Sequence, residues 1–216
     1  MDDGDESPGS GGAVDGLPDG DLGEVSDGDP DEIPDEEEIL ENLTGIRLTP
    51  SEHQRGKDLV NGDLLDRARG RERRYLVVGA GGETEAAKRR RFVYDRLDSR
   101  TDPPAVAIRL EDLGLTPEEI RLWTRVFDIL CGMATHVVAV VEDFDGGYVW
   151  ELGLLFAPSY REKTWVLKRR YPDGETERDR YDNGMGASHV ELLLTGPRAH
   201  EWVDTDDLRD AVDEIP

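Results

Sequence analysis

The sequence predicts an α/β domain in which helices cover both faces of a parallel sheet. Three observations carry that expectation. Short apolar runs alternate with stretches of helical periodicity along residues 72–216, the pattern of strand–helix–strand units. The run Val137-Val138-Ala139-Val140-Val141 is apolar without interruption, as a strand buried on both faces should be. Two of the runs end in glycine-rich segments, 79–82 and 143–147, which places both on the rim where ligands of such sheets sit.

Taken in order, residues 1–34 are mainly Asp, Gly, Glu, Ser and Pro, and no Lys or Arg precedes Arg47. Such a stretch buries too little apolar surface to offset its ordering entropy, so a disordered acidic arm is expected. A solvating role suits it better than mimicry of nucleic acid. Residues 35–71 read as a helical lead-in. A short helix over 35–44 has Ile39, Leu40 and Leu43 on one face, and a second helical stretch over 50–70 holds Leu59, Val60, Leu64 and Leu65. The lead-in is expected to pack on the domain edge or to stay mobile.

The domain proper, 72–216, opens with the strand Tyr75-Leu76-Val77-Val78 and a helix over 83–97; Ala105–Ile108 is the second strand. Thr116-Pro117-Glu118-Glu119 is a capping box, threonine at the cap and glutamate three later. It predicts a helix reaching Gly132, with Ile120, Trp123, Phe127 and Leu130 along its apolar stripe. After the third strand, 137–141, comes a short helix over 148–156 stopped by Pro158. Trp165-Val166-Leu167 is the fourth strand, and residues 169–184 read as a polar loop. A helix over 187–194, a strand over 200–203 and a helix over 205–215, capped by Asp204 or Thr205, complete the chain.

Composition narrows the function. Fifty acidic residues against 26 basic ones give a formal charge of −24, which repels bare nucleic acid and anionic membranes. Neither is an expected partner. Lysine is confined to Lys57, Lys88, Lys163 and Lys168. Abundant acid with little lysine is the surface of a halophilic protein, kept soluble where concentrated salt screens the self-repulsion. Cys131 is the only cysteine, so an intrachain disulfide and a thiolate metal cluster are both excluded. The histidines His53, His136, His189 and His200 show no ligand spacing, and no metal or cofactor is expected. With no signal-like or membrane-length apolar run, the expected location is the cytoplasm.

The glycine loop Gly79-Ala80-Gly81-Gly82 invites comparison with a dinucleotide fingerprint, but position 84 is Thr84, where that fingerprint needs its third glycine. Glu83 would also repel a pyrophosphate at the helix amino end. On its own the loop reads as a tight strand-to-helix turn. Lys88-Arg89-Arg90-Arg91 reads as a solvated basic face on the first helix. The richest segment is Asp143-Phe144-Asp145-Gly146-Gly147-Tyr148-Val149-Trp150-Glu151-Leu152-Gly153. It sets Glu151 in an otherwise apolar short helix, where a carboxylate is costly unless paired or used. Near the amino end, the helix dipole is expected to keep it ionised as a nucleophile. The alternative is a surface glutamate on an amphipathic helix after an Asp-Gly-Gly turn.

This segment resembles the nucleoside 2-deoxyribosyltransferase family. That family carries an aspartate after a strand, then glycine, a catalytic glutamate six residues beyond the aspartate and a glycine two further on. The matching positions here are Asp145, Gly147, Glu151 and Gly153. The turn Gly79-Ala80-Gly81 is similar to the family's first-strand loop, Asn183-Gly184-Met185 to its Asn-x-Met, and Asp128 to its other active-site aspartate. Tyr148 stands where the family usually has Ser or Thr.

The resemblance implies a Rossmann-like, flavodoxin-type fold and an enzyme that transfers or hydrolyses the N-glycosidic bond of a nucleoside or nucleotide. Glu151 would be the nucleophile, and Asp128 or Asp145 would protonate or orient the leaving base. Gly79, Gly81, Gly82, Gly147, Tyr148, Asn183 and Met185 would line the substrate. Asn183 would hold a sugar hydroxyl, a role that a neighbouring subunit's copy fills in a homo-oligomer. The competing expectation is a non-catalytic nucleotide-binding sensor or interaction domain of the same fold.

Overall fold

The computed structural model describes residues 48–116 and 118–216, which lie within one compact unit, Ile46–Pro216. The acidic arm over 1–34 and the helix over 35–44 lie outside the described residues. Five strands, β1 (Arg73–Gly79), β2 (Ala105–Ile108), β3 (His136–Val141), β4 (Thr164–Arg169) and β5 (Ala199–Trp202), form one sheet in the order β2-β1-β3-β4-β5. Every neighbouring pair is parallel, with Tyr75 opposite Ala107 on one side and His136 on the other. This is the doubly wound, flavodoxin-type order, and the direction of winding reverses between β1 and β3.

Alternation along the strands explains why β1 and β3 read as continuous apolar runs. Leu76, Val78, Val137, Ala139 and Val141 belong to the core on one face, while Tyr75, Val77, Val138 and Val140 belong to the core on the other. On the second face the sheet meets α3 (Glu85–Asp98) and α9 (Thr205–Asp213) through Val93, Leu97, Leu208 and Val212. The first face is covered by α1 (Pro50–Val60), α2 (Asp63–Arg69), α4 (Ile120–Met133), α5 (Tyr148–Leu154) and α8 (Gly184–Leu194).

Several elements differ from the sequence reading. The lead-in over 50–70 is not an appendage: Leu59, Leu65 and Ala68 are buried in the same core as Leu122, Val126 and Leu130. The 116–119 box makes one of its bonds, Thr116 N–H donating to the Glu119 carboxylate at 2.8 Å, yet the helix starts at Ile120. The helix expected over 148–156 ends at Leu154, and Pro158 opens a separate turn of helix, α6 (Pro158–Arg161). Residues 169–184 are not all loop. Asp173 accepts from the N–H groups of Glu175 and Thr176 and so caps α7 (Gly174–Arg180), which carries Glu175 and Glu177 at its positive end and Arg178 and Arg180 at its negative end. Helix α8 begins at Gly184, three residues before the expected start. A 3-10 turn, Leu110–Leu113, follows β2.

Candidate functional site

The carboxyl ends of β1 and β3 open on a cleft of about 960 Å³ at the switch point. The glycines that begin it are demanded by the backbone. Gly79 ends β1 with φ +143°, and a Cβ there would sit 2.6 Å from the Val140 carbonyl oxygen. Gly81 and Gly82 face open space, so the loop presents bare backbone to the cleft. Thr84 then caps α3, its hydroxyl accepting from Ala87 N–H at 3.1 Å. From β3 the chain passes through Glu142 and an Asx turn, with Asp145 N–H donating to Asp143 at 3.1 Å, into α5 and Glu151.

The cleft has two chemically distinct ends. Leu110, Trp123, Phe127, the exposed Trp150 and Leu154 line the cleft with Glu151 and give it an apolar and aromatic wall. Burial is what dominates the Glu151 carboxyl, raising its pKa to about 7. Arg90 opposes the shift and Glu111 adds to it. The expectation that the helix dipole keeps Glu151 ionised is thus corrected: near neutral pH the group is close to half protonated. Arg90 is itself buried and donates to the Gly79 carbonyl oxygen at 3.3 Å and to Glu111 on the 3-10 turn.

The other end is built from charge. Glu142 is 4% exposed and is gripped by two guanidinium groups. Arg89 meets it through Nε at 2.7 Å and Nη2 at 2.5 Å, and Arg169 through Nη1 at 2.9 Å. Both guanidinium groups lie against the Trp202 ring, and Arg169 also against Tyr171, whose hydroxyl donates to the Glu142 carbonyl at 2.7 Å. Arg180 on α7 reaches Asp143 at 3.7 Å. The solvated basic face expected on α3 holds for Lys88 and Arg91, which pair with Glu85 and Asp95 on their own helix. Arg89 and Arg90 turn inward.

Of the residues singled out in the sequence, the structure brings Gly79, Gly81, Gly82, Asp145, Gly147, Tyr148 and Glu151 into this one cleft. Tyr148 is buried with its hydroxyl already donating to Asp143, on the backbone carbonyl and on the carboxylate at 3.1 Å. Three residues do not join them. Asp128 points from α4 to α6, where it accepts from the Tyr160 hydroxyl and raises the tyrosine's pKa further above its ordinary value, beyond what burial does. Asn183 is the N-cap of α8, its side chain accepting from Gly186 N–H at 3.0 Å. Met185 lies beside it, exposed, and both line a separate groove of about 280 Å³. Sequence reasoning missed Glu142, Arg89, Arg169 and Glu111. Glu142 directly follows β3 and Arg169 ends β4, both on the ligand rim, and that position was the available signal.

The chain belongs to a family of unknown function, DUF8170, whose model matches residues 29–196. No curated protein and no solved structure matches it.

Proposed function

We propose that this DUF8170 protein makes and breaks the N-glycosidic bond of a nucleoside or nucleotide, with Glu151 as the nucleophile. The observation that carries the reading is the setting of Glu151. It is a glutamate raised to about 7 chiefly by burial, lining a cleft at the sheet's switch point. The spacing of Asp145, Gly147, Glu151 and Gly153, similar to the deoxyribosyltransferase motif, supports it from the sequence. In the ionised form a Glu151 oxygen attacks the anomeric carbon while the bond to the base nitrogen breaks. The electron pair leaves with the base, which takes a proton from water, and Asp145, the aspartate of the original pair that lines the cleft, orients the base.

The sugar is then held as a glutamyl ester, formed through an oxocarbenium-like transition state. Attack by a second base regenerates a nucleoside, and attack by water releases the sugar; either step returns the carboxylate. The Trp123 and Trp150 rings that line the cleft suit a planar base.

A second reading keeps the pocket without the chemistry. It is favoured by Asn183, whose side chain is already spent on a helix cap. The test is to incubate the protein with a panel of nucleosides and their 5′-monophosphates and to follow free base by chromatography and the intact chain by mass spectrometry. Base release with a sugar-sized adduct on the Glu151 peptide is the expected result. Binding without release or adduct across the panel supports the sensor and removes the enzyme.

A further inference from the structure

The charged end of the cleft has no task in the glycosidic chemistry, and its composition is unusual for this molecule. In a chain of net charge −24, three guanidinium groups, Arg89, Arg169 and Arg180, converge there on two carboxylates, Glu142 and Asp143. Glu85 and Asp145 line the same cleft, so what is local is the two-to-one ratio of guanidinium to carboxylate at Glu142. Glu142 uses Nε and Nη2 of Arg89 and only Nη1 of Arg169, so each guanidinium retains donors; the buried Arg169 Nε has no acceptor among the described residues. The Trp202 and Tyr171 rings fix the planes of Arg89 and Arg169 in advance, which lowers the entropy cost of closing on a ligand. Next to this cluster runs the Gly79–Gly82 loop, whose Gly81 and Gly82 leave backbone N–H groups approachable.

We propose that the cleft takes a phosphorylated ligand, a nucleoside 5′-monophosphate. Its phosphate sits at the Arg89, Arg169 and Arg180 end and its base against the aromatic wall beside Glu151. The inference rests on the reading of this cleft as a nucleoside site, and it adds the phosphate. Arginine is suited to the task because its planar fork meets phosphate oxygens in pairs and keeps its charge at every relevant pH. The arrangement also gives the acidic protein a way to admit an anion: Glu142 is met by two arginines, one more than its charge requires, while Arg180 is paired with Asp143.

The experiment uses the full chain at one fixed salt concentration at which it is folded. Calorimetric titration compares adenosine, guanosine, cytidine, uridine and thymidine with their 5′-monophosphates, and adds ribose 5-phosphate and inorganic phosphate. At least one monophosphate should bind ten-fold or more tightly than its nucleoside. Arg180→Gln should cut that advantage three-fold or more while the nucleoside affinity stays as it was. The charge-neutral pair Glu142→Gln with Arg169→Gln, which avoids stranding a buried carboxylate, should abolish the advantage.

Equal affinity for every nucleoside and its monophosphate overturns the phosphate subsite and leaves the glycosidic reading intact. Inorganic phosphate bound as tightly as the best monophosphate also overturns it, since the site would then serve a free anion. Tight, arginine-dependent binding of a monophosphate with no base released sustains the subsite and removes the enzyme. Failure to bind any member of the panel removes both.

Discussion

At the scale of single residues, the molecule concentrates its cost in two carboxylates that are handled in opposite ways. Glu142 is buried and fully compensated by Arg89 and Arg169. Glu142→Ala would leave two facing guanidinium groups without their shared partner and should destabilise the fold by about 3 kcal/mol or more, read from denaturant unfolding. Glu151 is left with burial as its dominant influence and its pKa rises from the ordinary 4.5 to about 7. The folded state therefore holds this proton more tightly than the unfolded chain does. The resulting stabilisation is complete below about pH 4.5 and is lost as pH rises through about 7. Glu151→Gln removes the cost of burying the charge. The variant should be more stable than the parent by ~1–3 kcal/mol at pH 8, with the gap closing toward pH 5. An identical pair of pH–stability curves would show that Glu151 is a solvated surface residue.

At the scale of elements, the strands were legible in the sequence because burial on both faces writes an uninterrupted apolar run, as in 137–141. Helix α7 was not, since its stability comes from the Asp173 cap and charge–dipole pairing and its composition carries no apolar stripe. The glycines show a similar split. Sequence can mark Gly79 and Gly81 as one loop, but only the fold shows that the first is sterically compelled and the second is not. Gly79→Ala combines φ +143° with a 2.6 Å approach to the Val140 carbonyl, so a loss of ~2 kcal/mol or more in thermal unfolding is expected. Gly81→Ala meets nothing within 4 Å and should change stability by no more than about half a kcal/mol. The candidate site divides along the same line. Residues adjacent in sequence, such as Asp145, Gly147 and Glu151, announced themselves through spacing. Arg89, Glu142 and Arg169 meet only when α3, β3 and β4 are brought together, and nothing local records that. Asp128 and Asn183 had the right residue type and the wrong surroundings: a tyrosine on α6 claims one, a helix amino end the other.

At the scale of the whole molecule, a charge of −24 means that folding compresses like charge. The melting temperature should climb as salt is raised from dilute buffer to molar concentration, since the screening length shrinks from tens of ångströms to about 3 Å; a flat or falling curve would remove the halophilic reading of the composition. No helix among the described residues is long and apolar enough to cross a membrane. What the whole fold supplies to function is one cleft that joins an aromatic end bearing a protonatable glutamate to a cationic end. The most direct test of that account is base release from the nucleoside and monophosphate panel by the parent protein and by Glu151→Gln, followed across pH. The account predicts turnover by the parent that rises as pH passes about 7, when Glu151 ionises, and a fall of at least a thousand-fold in Glu151→Gln with ligand affinity little changed. Undiminished base release by Glu151→Gln would contradict it.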